Sequence, residues 1–197
     1  MLKKKLVFKE YNQKSPLKGK IDVISKLFCL ATPEYCKLFK SLGGNKNTFI
    51  KSIINKKNTE LEKFVVLKMG SKIIGFYVAY PSNEITQRQM LTNLKMRNSI
   101  NLNSRHLFHN KILKHINKLP SFSHKGLYLS RNAIIPKYQN KGMGVKLINN
   151  CLKKGRKLRK VFLYVRTNNK NAIRFYKNMK FIKESKKNCY YILGKKL

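Results

Sequence analysis

The chain has 197 residues, 42% of them hydrophobic and 11% aromatic, which suffices for one buried core and excludes a disordered polymer. Lys and Arg total 45 against 7 Asp and Glu. The resulting net charge of +38 either attracts polyanions such as nucleic acid or reflects compositional drift alone. No apolar run approaches about 18 residues, and the apolar stretch near the N-terminus stops at Lys9. Neither a membrane-spanning helix nor a signal peptide is therefore expected.

Cysteine usage indicates the compartment. The cysteines form no CxxC pair, and this pattern predicts free thiols in a reducing environment. Without a signal peptide, the chain is expected to be cytoplasmic. The cysteines are Cys29, Cys36, Cys151 and Cys189.

Apolar spacing predicts the elements of the N-terminal part. The helix after Thr32 has the clearest start, because Thr32 suits an N-cap and Pro33 suits the first helical position. It is expected to end at Gly43. The predicted elements are a strand at 6–8, helices at 21–30, 33–42 and 48–55, and hairpin strands at 64–69 and 73–80.

Residues 84–120 have the pattern of a helical insertion between core elements. The segment is polar and basic, and two helical pieces are expected. One helical face would carry Phe108, Ile112, Ile116 and Leu119. A single domain over residues 1–197 is therefore expected, with this insertion inside it.

The last third of the chain alternates strands and helices. The first strand is broken by Pro136, and the second is a continuous apolar run typical of a buried parallel strand. This alternation is typical of the α/β class. The predicted elements are strands at 126–135, 161–165, 181–182 and 190–193, and helices at 142–154 and 171–179.

A Gly-x-Gly turn opens the helix that follows the strand at 126–135. Backbone N–H groups at a helix start bind anions, and glycines let a phosphate come close. The segment lacks the Gly-Lys-Ser/Thr of a Walker loop and the third glycine of a dinucleotide fingerprint. Gln139 stands three residues before Gly142, after an apolar-x-Pro lead-in. The segment resembles the coenzyme A pyrophosphate loop of the GNAT (GCN5-related N-acetyltransferase) superfamily.

A second segment, residues 168–181, resembles the other strong motif of that superfamily. Its helix carries Ala172 and, one turn later, Tyr176 after a phenylalanine. The family's glycine before the closing Phe is Lys180 here, which predicts either strain in a left-handed helix end or a different end. The motif's asparagine is matched by Asn168, Asn169 or Asn171.

The resemblance implies an α/β fold of the GNAT acyl-CoA N-acyltransferase type: a mixed, twisted sheet with helices on both faces, opened between two parallel strands. It implies acetyl-CoA as the acyl donor, no metal, and a backbone N–H near Ile134 on the acetyl carbonyl. Tyr176 is implied as the general acid for the thiolate, or else as a tyrosine that only packs on the cofactor. The cofactor-binding residues implied are Ile134, Ile135, Gln139, Asn140, Lys141, Gly142, Met143, Gly144, Asn171 and Tyr176.

The general base stays open. No Asp or Glu lies between Glu84 and Glu184, and the position of the glutamate found in the histone acetyltransferase branch is Tyr128 here. Glu84, Glu184, a histidine, relayed water, or no dedicated base are the alternatives. The histidines are expected to be solvated rather than metal ligands. They are His106, His109, His115 and His124.

The expected function is acetyl-CoA-dependent N-acetyl transfer to a primary amine of a small molecule or a protein. Two alternatives remain: an aminoacyl-tRNA acetyltransferase of the GNAT toxin type, and a non-catalytic nucleic-acid- or ribosome-binding protein on a GNAT scaffold. The intact Gln139, Gly142, Gly144 and Tyr176 argue against the second. The sequence leaves open the acceptor, a polyanion partner such as RNA, and a homodimer.

Overall fold

A computed structural model describes residues 5–116 and 125–197. The strands are β1 (Leu6–Tyr11), β2 (Phe64–Met69), β3 (Lys72–Pro81), β4 (Leu127–Ile134), β5 (Lys160–Arg166), β6 (Ile182–Lys187) and β7 (Tyr190–Lys196). They form one sheet in the order β1-β2-β3-β4-β5-β7-β6. Neighbouring strands are antiparallel except β4 and β5, which are parallel. The expected mixed sheet is confirmed.

Helices lie in the connections between strands, except in the short turns that join β2 to β3 and β6 to β7. They are α1 (Ile21–Ala31), α2 (Pro33–Ser41), α3 (Lys46–Ile53), α4 (Ile85–Asn98), α5 (Arg105–Ile116), α6 (Met143–Gly155) and α7 (Lys170–Asn178). Within the described ranges, no helix is both long and apolar enough to cross a membrane.

Two apolar clusters lie on opposite faces of the sheet. One contains α1 to α5 and strand residues such as Phe64 and Val66. The other contains α6 and α7 and the intervening strand residues, such as Val65 and Leu67. Because successive side chains of a strand point to opposite faces, each central strand contributes to both clusters. Helices therefore cover both faces, as the resemblance implied.

The polar segment between β3 and β4 forms α4 and α5. Phe108 and Ile112 of α5 are buried in the cluster of α1. Arg88 of α4 is also buried, donates to the Thr59 carbonyl at 2.7 Å and pairs with Glu62 at 2.8 Å. These contacts fasten α4 to the loop before β2. The predicted side-chain positions of His115, Ile116, Leu119 and His124 lie outside the described part of the structure.

The α1–α2 junction bears out one local expectation and contradicts another. Thr32 is the N-cap of α2 with Pro33 after it, as expected, although its side chain makes no cap hydrogen bond and its hydroxyl donates to the Phe28 carbonyl of α1 at 2.9 Å. Cys29 and Cys36 are not free thiols but form a disulfide that joins α1 to α2, since the tight junction brings their Cα atoms to 5.5 Å. Cys151 is a buried free thiol and Cys189 an exposed one, as expected.

The sheet opens between β4 and β5. Their paired register is confined to Leu127–Val161 and Tyr128–Phe162, at the start of β4. Just beyond, Ser130 is the extra residue of a bulge, because Arg131 lies opposite Val78 and Leu129 lies opposite Ala79. A bulge bends its strand and redirects the following side chains. The second half of β4 therefore diverges from β5 and leaves a gap in the sheet.

Candidate active site

A cavity of about 800 Å³ lies at this gap. Its walls are residues 128–132 of β4 and 163–166 of β5. One end reaches Ala172 and Tyr176 of α7, and the other end is lined by α4, α5 and the α1–α2 junction. A cavity that joins two cores of one sheet can hold an extended ligand between the parted strands.

The phosphate-loop segment lies between β4 and α6. A 3₁₀ turn at 136–138 leads from the strand to Gln139, whose side-chain amide donates to the Ile134 carbonyl at 2.8 Å. Asn140 and Gly142 then adopt left-handed conformations, with φ of 57° and 71°. This path turns the chain so that α6 begins directly at Met143.

The start of α6 fits a phosphate group. The first N–H groups of a helix lack acceptors within the helix, and here the first helical bond runs from Lys146 N–H to the Gly142 carbonyl at 3.1 Å. An added Cβ at Gly142 would meet nothing within 4 Å, so the approach to the backbone is open. Lys141 and Lys146 are exposed beside it. The helix dipole and both lysines favour an anion there.

Gly144 has a packing role. A Cβ at Gly144 would approach the Phe175 ring to 3.3 Å, closer than ordinary contact. The glycine therefore lets α6 pack against α7. Met143 is partly buried in the same cluster and does not line the cavity.

At the end of β4, the backbone N–H groups of Ile134 and Ile135 point in opposite directions. The Ile135 N–H donates to the Ile74 carbonyl of β3 at 2.9 Å, and its carbonyl accepts from Tyr138 N–H at 2.8 Å. Adjacent residues of a strand direct their N–H groups to opposite edges. The Ile134 N–H therefore faces the gap, whereas the Ile135 backbone is already used within the protein.

Tyr176 lies in the wall of the cavity. Its residue is only 5% exposed, and its ring contacts Phe175 and Phe181. Its hydroxyl accepts a hydrogen bond from the Asn132 side-chain amide at 2.7 Å. Burial raises the pKa of Tyr176 above its ordinary value, and the bond from Asn132 offsets only part of this effect. The phenol is therefore protonated near neutral pH and able to donate.

The motif asparagine is best matched by Asn169. Its side chain caps α7 by accepting from the Ala172 N–H at 3.1 Å, and Asn168 and Asn169 both line the cavity. Asn171 is exposed on the first turn of α7 and is absent from the cavity wall. The structure thus brings Asn169 and Tyr176 together and leaves Asn171 outside.

The carboxylates considered as bases lie away from the cavity wall. Glu84 bonds Arg88 at 2.6 Å, and Glu184 pairs with Lys160 at 2.8 Å. His106 and His109 are exposed on α5. In the described portion, no group of three or more His, Cys, Asp or Glu side chains is placed to hold a metal.

The cavity instead contains a carboxylate that sequence reasoning missed. Glu60, in the loop before β2, is 2% exposed. It accepts from Tyr80 at 3.1 Å and from the hydroxyl of Ser130, and it pairs with Arg131 at 3.0 Å. Burial works to lower the pKa of Arg131, but the charge of Glu60 and smaller contributions from Tyr128, Tyr80 and Tyr35 together outweigh it and raise that pKa above its usual range. Arg131 is therefore charged.

Comparisons with known proteins agree with this geometry. A model of the acetyltransferase (GNAT) family matches residues 34–181. An N-acetyltransferase from Staphylococcus aureus Mu50 superposes with a TM-score of 0.59 at 17% identity, over 95% of this chain and 98% of its own. No curated protein matches the sequence significantly.

Two further structural neighbours were solved with the cofactor. A GNAT family acetyltransferase from Elizabethkingia anophelis, with acetyl-CoA bound, has a TM-score of 0.54 at 13% identity and covers 98% of each chain. The PaiA N-acetyltransferase of Thermoplasma acidophilum, in complex with coenzyme A, has a TM-score of 0.54 at 15% identity and covers 98% of this chain and 99% of its own.

Proposed function

Because the chain belongs to the GNAT acetyltransferase family, we propose that it is an N-acetyltransferase that moves the acetyl group of acetyl-CoA to a primary amine. The observation that carries the proposal is the open helix start at Gly142 beside the gap between β4 and β5. Neighbours crystallised with acetyl-CoA or coenzyme A support the choice of donor.

Acetyl-CoA, when bound, supplies a thioester whose carbonyl carbon an amine attacks and whose thiolate leaves. The N–H groups at the start of α6 hold the pyrophosphate, together with Lys141 and Lys146. The Ile134 N–H, which faces the gap, polarises the carbonyl oxygen. Tyr176 gives its proton to the sulfur as the carbon–sulfur bond breaks.

The amine enters from the end of the cavity opposite α7, between α4, α5 and the α1–α2 junction. Gln89 and Asn93 of α4 line this end. Glu60 and Arg131 lie here as an ion pair. Protonating Glu60 would weaken its hydrogen bonds and leave Arg131 without its countercharge. The amine's proton therefore goes to solvent, and the pair shapes the acceptor end.

A second candidate is transfer to an amine carried by RNA, such as an aminoacyl-tRNA. The observation that favours it is the distribution of charge: all acidic residues except Glu184 precede residue 85, and Glu184 is paired with Lys160. The layer of α6 and α7 contains no acidic residue. RNA binding that weakens steeply as salt rises would support this acceptor, and no binding at low salt would exclude it.

The location proposed is the cytoplasm, where acetyl-CoA is available. Reductants there keep most thiols reduced, and the disulfide between Cys29 and Cys36 is an exception to this rule. Counting free thiols in acid-quenched, denatured lysate tests the disulfide: two are expected, and four would contradict it.

Calorimetric titration of acetyl-CoA tests the donor assignment with two matched variants. Gly142→Val is expected to weaken binding about 100-fold or more, because its branched side chain blocks the approach of the pyrophosphate. The control is Gly70→Val in the β2–β3 turn, which has a φ of 59° and equally open surroundings. Both carry the same backbone strain. Unchanged affinity in Gly142→Val, or equal loss in both, would contradict the assignment.

A further inference from the structure

Two buried tyrosines of one core cluster form hydrogen bonds with asparagines, one as the donor and the other as the acceptor. The Tyr77 hydroxyl donates to the Asn150 side-chain oxygen at 2.8 Å. The Tyr176 hydroxyl instead accepts from the Asn132 side-chain nitrogen at 2.7 Å. A phenol has one proton, so Tyr77 has used its proton on Asn150, whereas Tyr176 keeps its own for another acceptor.

The position of Asn132 follows from the bulge in β4. Ser130 is the extra residue, and Asn132 comes two residues later, where the strand diverges from β5. The side chain is polar in a strand that is otherwise apolar toward α6 and α7, where Leu129 and Ile134 are buried. Asn132 and Tyr176 both line the cavity. The free side of the phenol oxygen therefore faces the gap.

We infer that Asn132 is a positioning residue that directs the proton of Tyr176 toward the sulfur of bound coenzyme A. The inference rests on the proposed function. Asn132 occupies a lone pair of the phenol oxygen, so the O–H bond must point elsewhere, and the described neighbours leave the cavity side open to it. The side-chain amide thereby fixes both the place and the direction of the acid.

The proton transfer balances with these two residues. As the carbon–sulfur bond breaks, its electron pair goes to sulfur, and sulfur takes the proton of Tyr176. The phenolate that remains keeps the hydrogen bond from Asn132, which is stronger to an anion than to a neutral oxygen. Solvent then reprotonates the phenolate. Asn132 thus supports Tyr176 before and after the transfer.

The test uses free coenzyme A and needs no acceptor. A donor aimed at the sulfur stabilises its thiolate, so the thiol pKa of bound coenzyme A, followed by thiolate absorbance, should lie below that of free coenzyme A. Tyr176→Phe removes the donor and should raise the bound thiol pKa by about one unit. Asn132→Asp should raise it at least as much, because an ionised carboxylate accepts the phenol's hydrogen bond and its charge also disfavours the thiolate.

Asn132→Ala is the second variant, in case the buried carboxylate prevents folding. It should raise the bound thiol pKa by a smaller amount, since the phenol then loses its fixed direction. Adding Asn132→Ala to Tyr176→Phe should cause no further change, because Asn132 acts only through the phenol. Tyr77→Phe and Asn150→Ala, which alter the other pair, should leave the thiol pKa at its wild-type value.

The thiol pKa values of these variants separate the role of Asn132 from the proposed function. An unchanged thiol pKa in Asn132→Ala, with a raised value in Tyr176→Phe, would overturn the role of Asn132. A thiol pKa that is higher in the double variant than in Tyr176→Phe would show that Asn132 acts through packing and would also overturn its positioning role. If wild-type protein binds no coenzyme A, the proposed function itself fails, and the inference fails with it.

Discussion

At the scale of single residues, the end of α7 shows how a family position is filled by an unusual side chain. Phe181 N–H bonds the Tyr176 carbonyl at 3.0 Å, and Lys180 N–H bonds the Lys177 carbonyl at 2.9 Å. These two bonds form a Schellman motif. Lys180 occupies its left-handed position, with a φ of 64°. The sequence predicted either strain in a left-handed helix end or a different end, and the structure has the left-handed conformation.

Replacing Lys180 with glycine should stabilise the protein. The left-handed conformation costs a residue with a Cβ about 1 kcal/mol or more, and glycine avoids this cost. Chemical denaturation should therefore show a free energy of unfolding higher by about 1 kcal/mol. Lys177→Gly, at an exposed position inside α7, should lower it by a similar amount. A loss of stability in Lys180→Gly would show that the helix end is not strained.

Other residues of the site could not be predicted, for a physical reason. The motifs identify Gly142 and Tyr176 because their roles depend on local turn and helix geometry. The orientation of Asn132 depends on the bulge in the pairing of β4 with β3. Glu60 becomes buried through contacts with residues about 70 positions away. A polar residue inside an apolar strand was the only local signal for Asn132.

At the scale of elements, a loop and a strand share one buried ion pair. The loop before β2 supplies Glu60, and β4 supplies Arg131, whose guanidinium also lies over the Phe28 ring of α1 at 5.7 Å. Arg88 of α4 bonds the neighbouring Thr59 carbonyl. These contacts fasten the loop, β4 and α4 around the acceptor end of the cavity.

Glu60→Gln should destabilise the fold strongly. Removing one partner of a buried ion pair leaves an uncompensated charge and costs about 3–5 kcal/mol. Glu10→Gln breaks the exposed pair with Lys154, in which both side chains are 43% exposed, and should cost at most about 1 kcal/mol. Urea unfolding of the two variants makes the comparison. Equal small effects would mean that the Glu60–Arg131 pair does not hold the loop to β4.

The bounds of the elements show where apolar periodicity is enough to predict a helix or strand and where it is not. Among the described residues, every strand and helix overlaps a segment that the sequence predicted, and most of them bury one face in a core cluster. The predicted strand at 6–8 is longer, because β1 pairs along its whole length with β2. β6 extends to Lys187 for the same reason, since its pairing with β7 overrides a polar sequence.

At the scale of the whole molecule, buried tyrosines limit the stability of the fold at alkaline pH. Burial raises the pKa of seven of them above the ordinary value of 10.0. Burial also raises the pKa of the Cys151 thiol, to about 12. The tyrosines are Tyr35, Tyr77, Tyr80, Tyr128, Tyr164, Tyr176 and Tyr190.

The free energy of unfolding should therefore fall above about pH 10. Groups with a raised pKa in the folded state contribute stability that is fully present below their unfolded-state pKa, and this stability is lost as pH rises through the folded-state values. The unfolded chain loses these protons first. Urea titrations at stepwise higher pH, with phenolate absorbance as a second signal, measure the effect. Phenolate formation by most tyrosines without loss of stability would contradict it.

The central claim is that the gap between β4 and β5 holds acetyl-CoA with its phosphates on α6 and its sulfur beside Tyr176. A crystal structure of the protein grown with acetyl-CoA measures this directly. The account predicts pyrophosphate density at the N–H groups of residues 143–145 and the sulfur within hydrogen-bond reach of the Tyr176 hydroxyl, about 4 Å or less for sulfur. Acetyl-CoA bound elsewhere, or a sulfur remote from Tyr176, would contradict it.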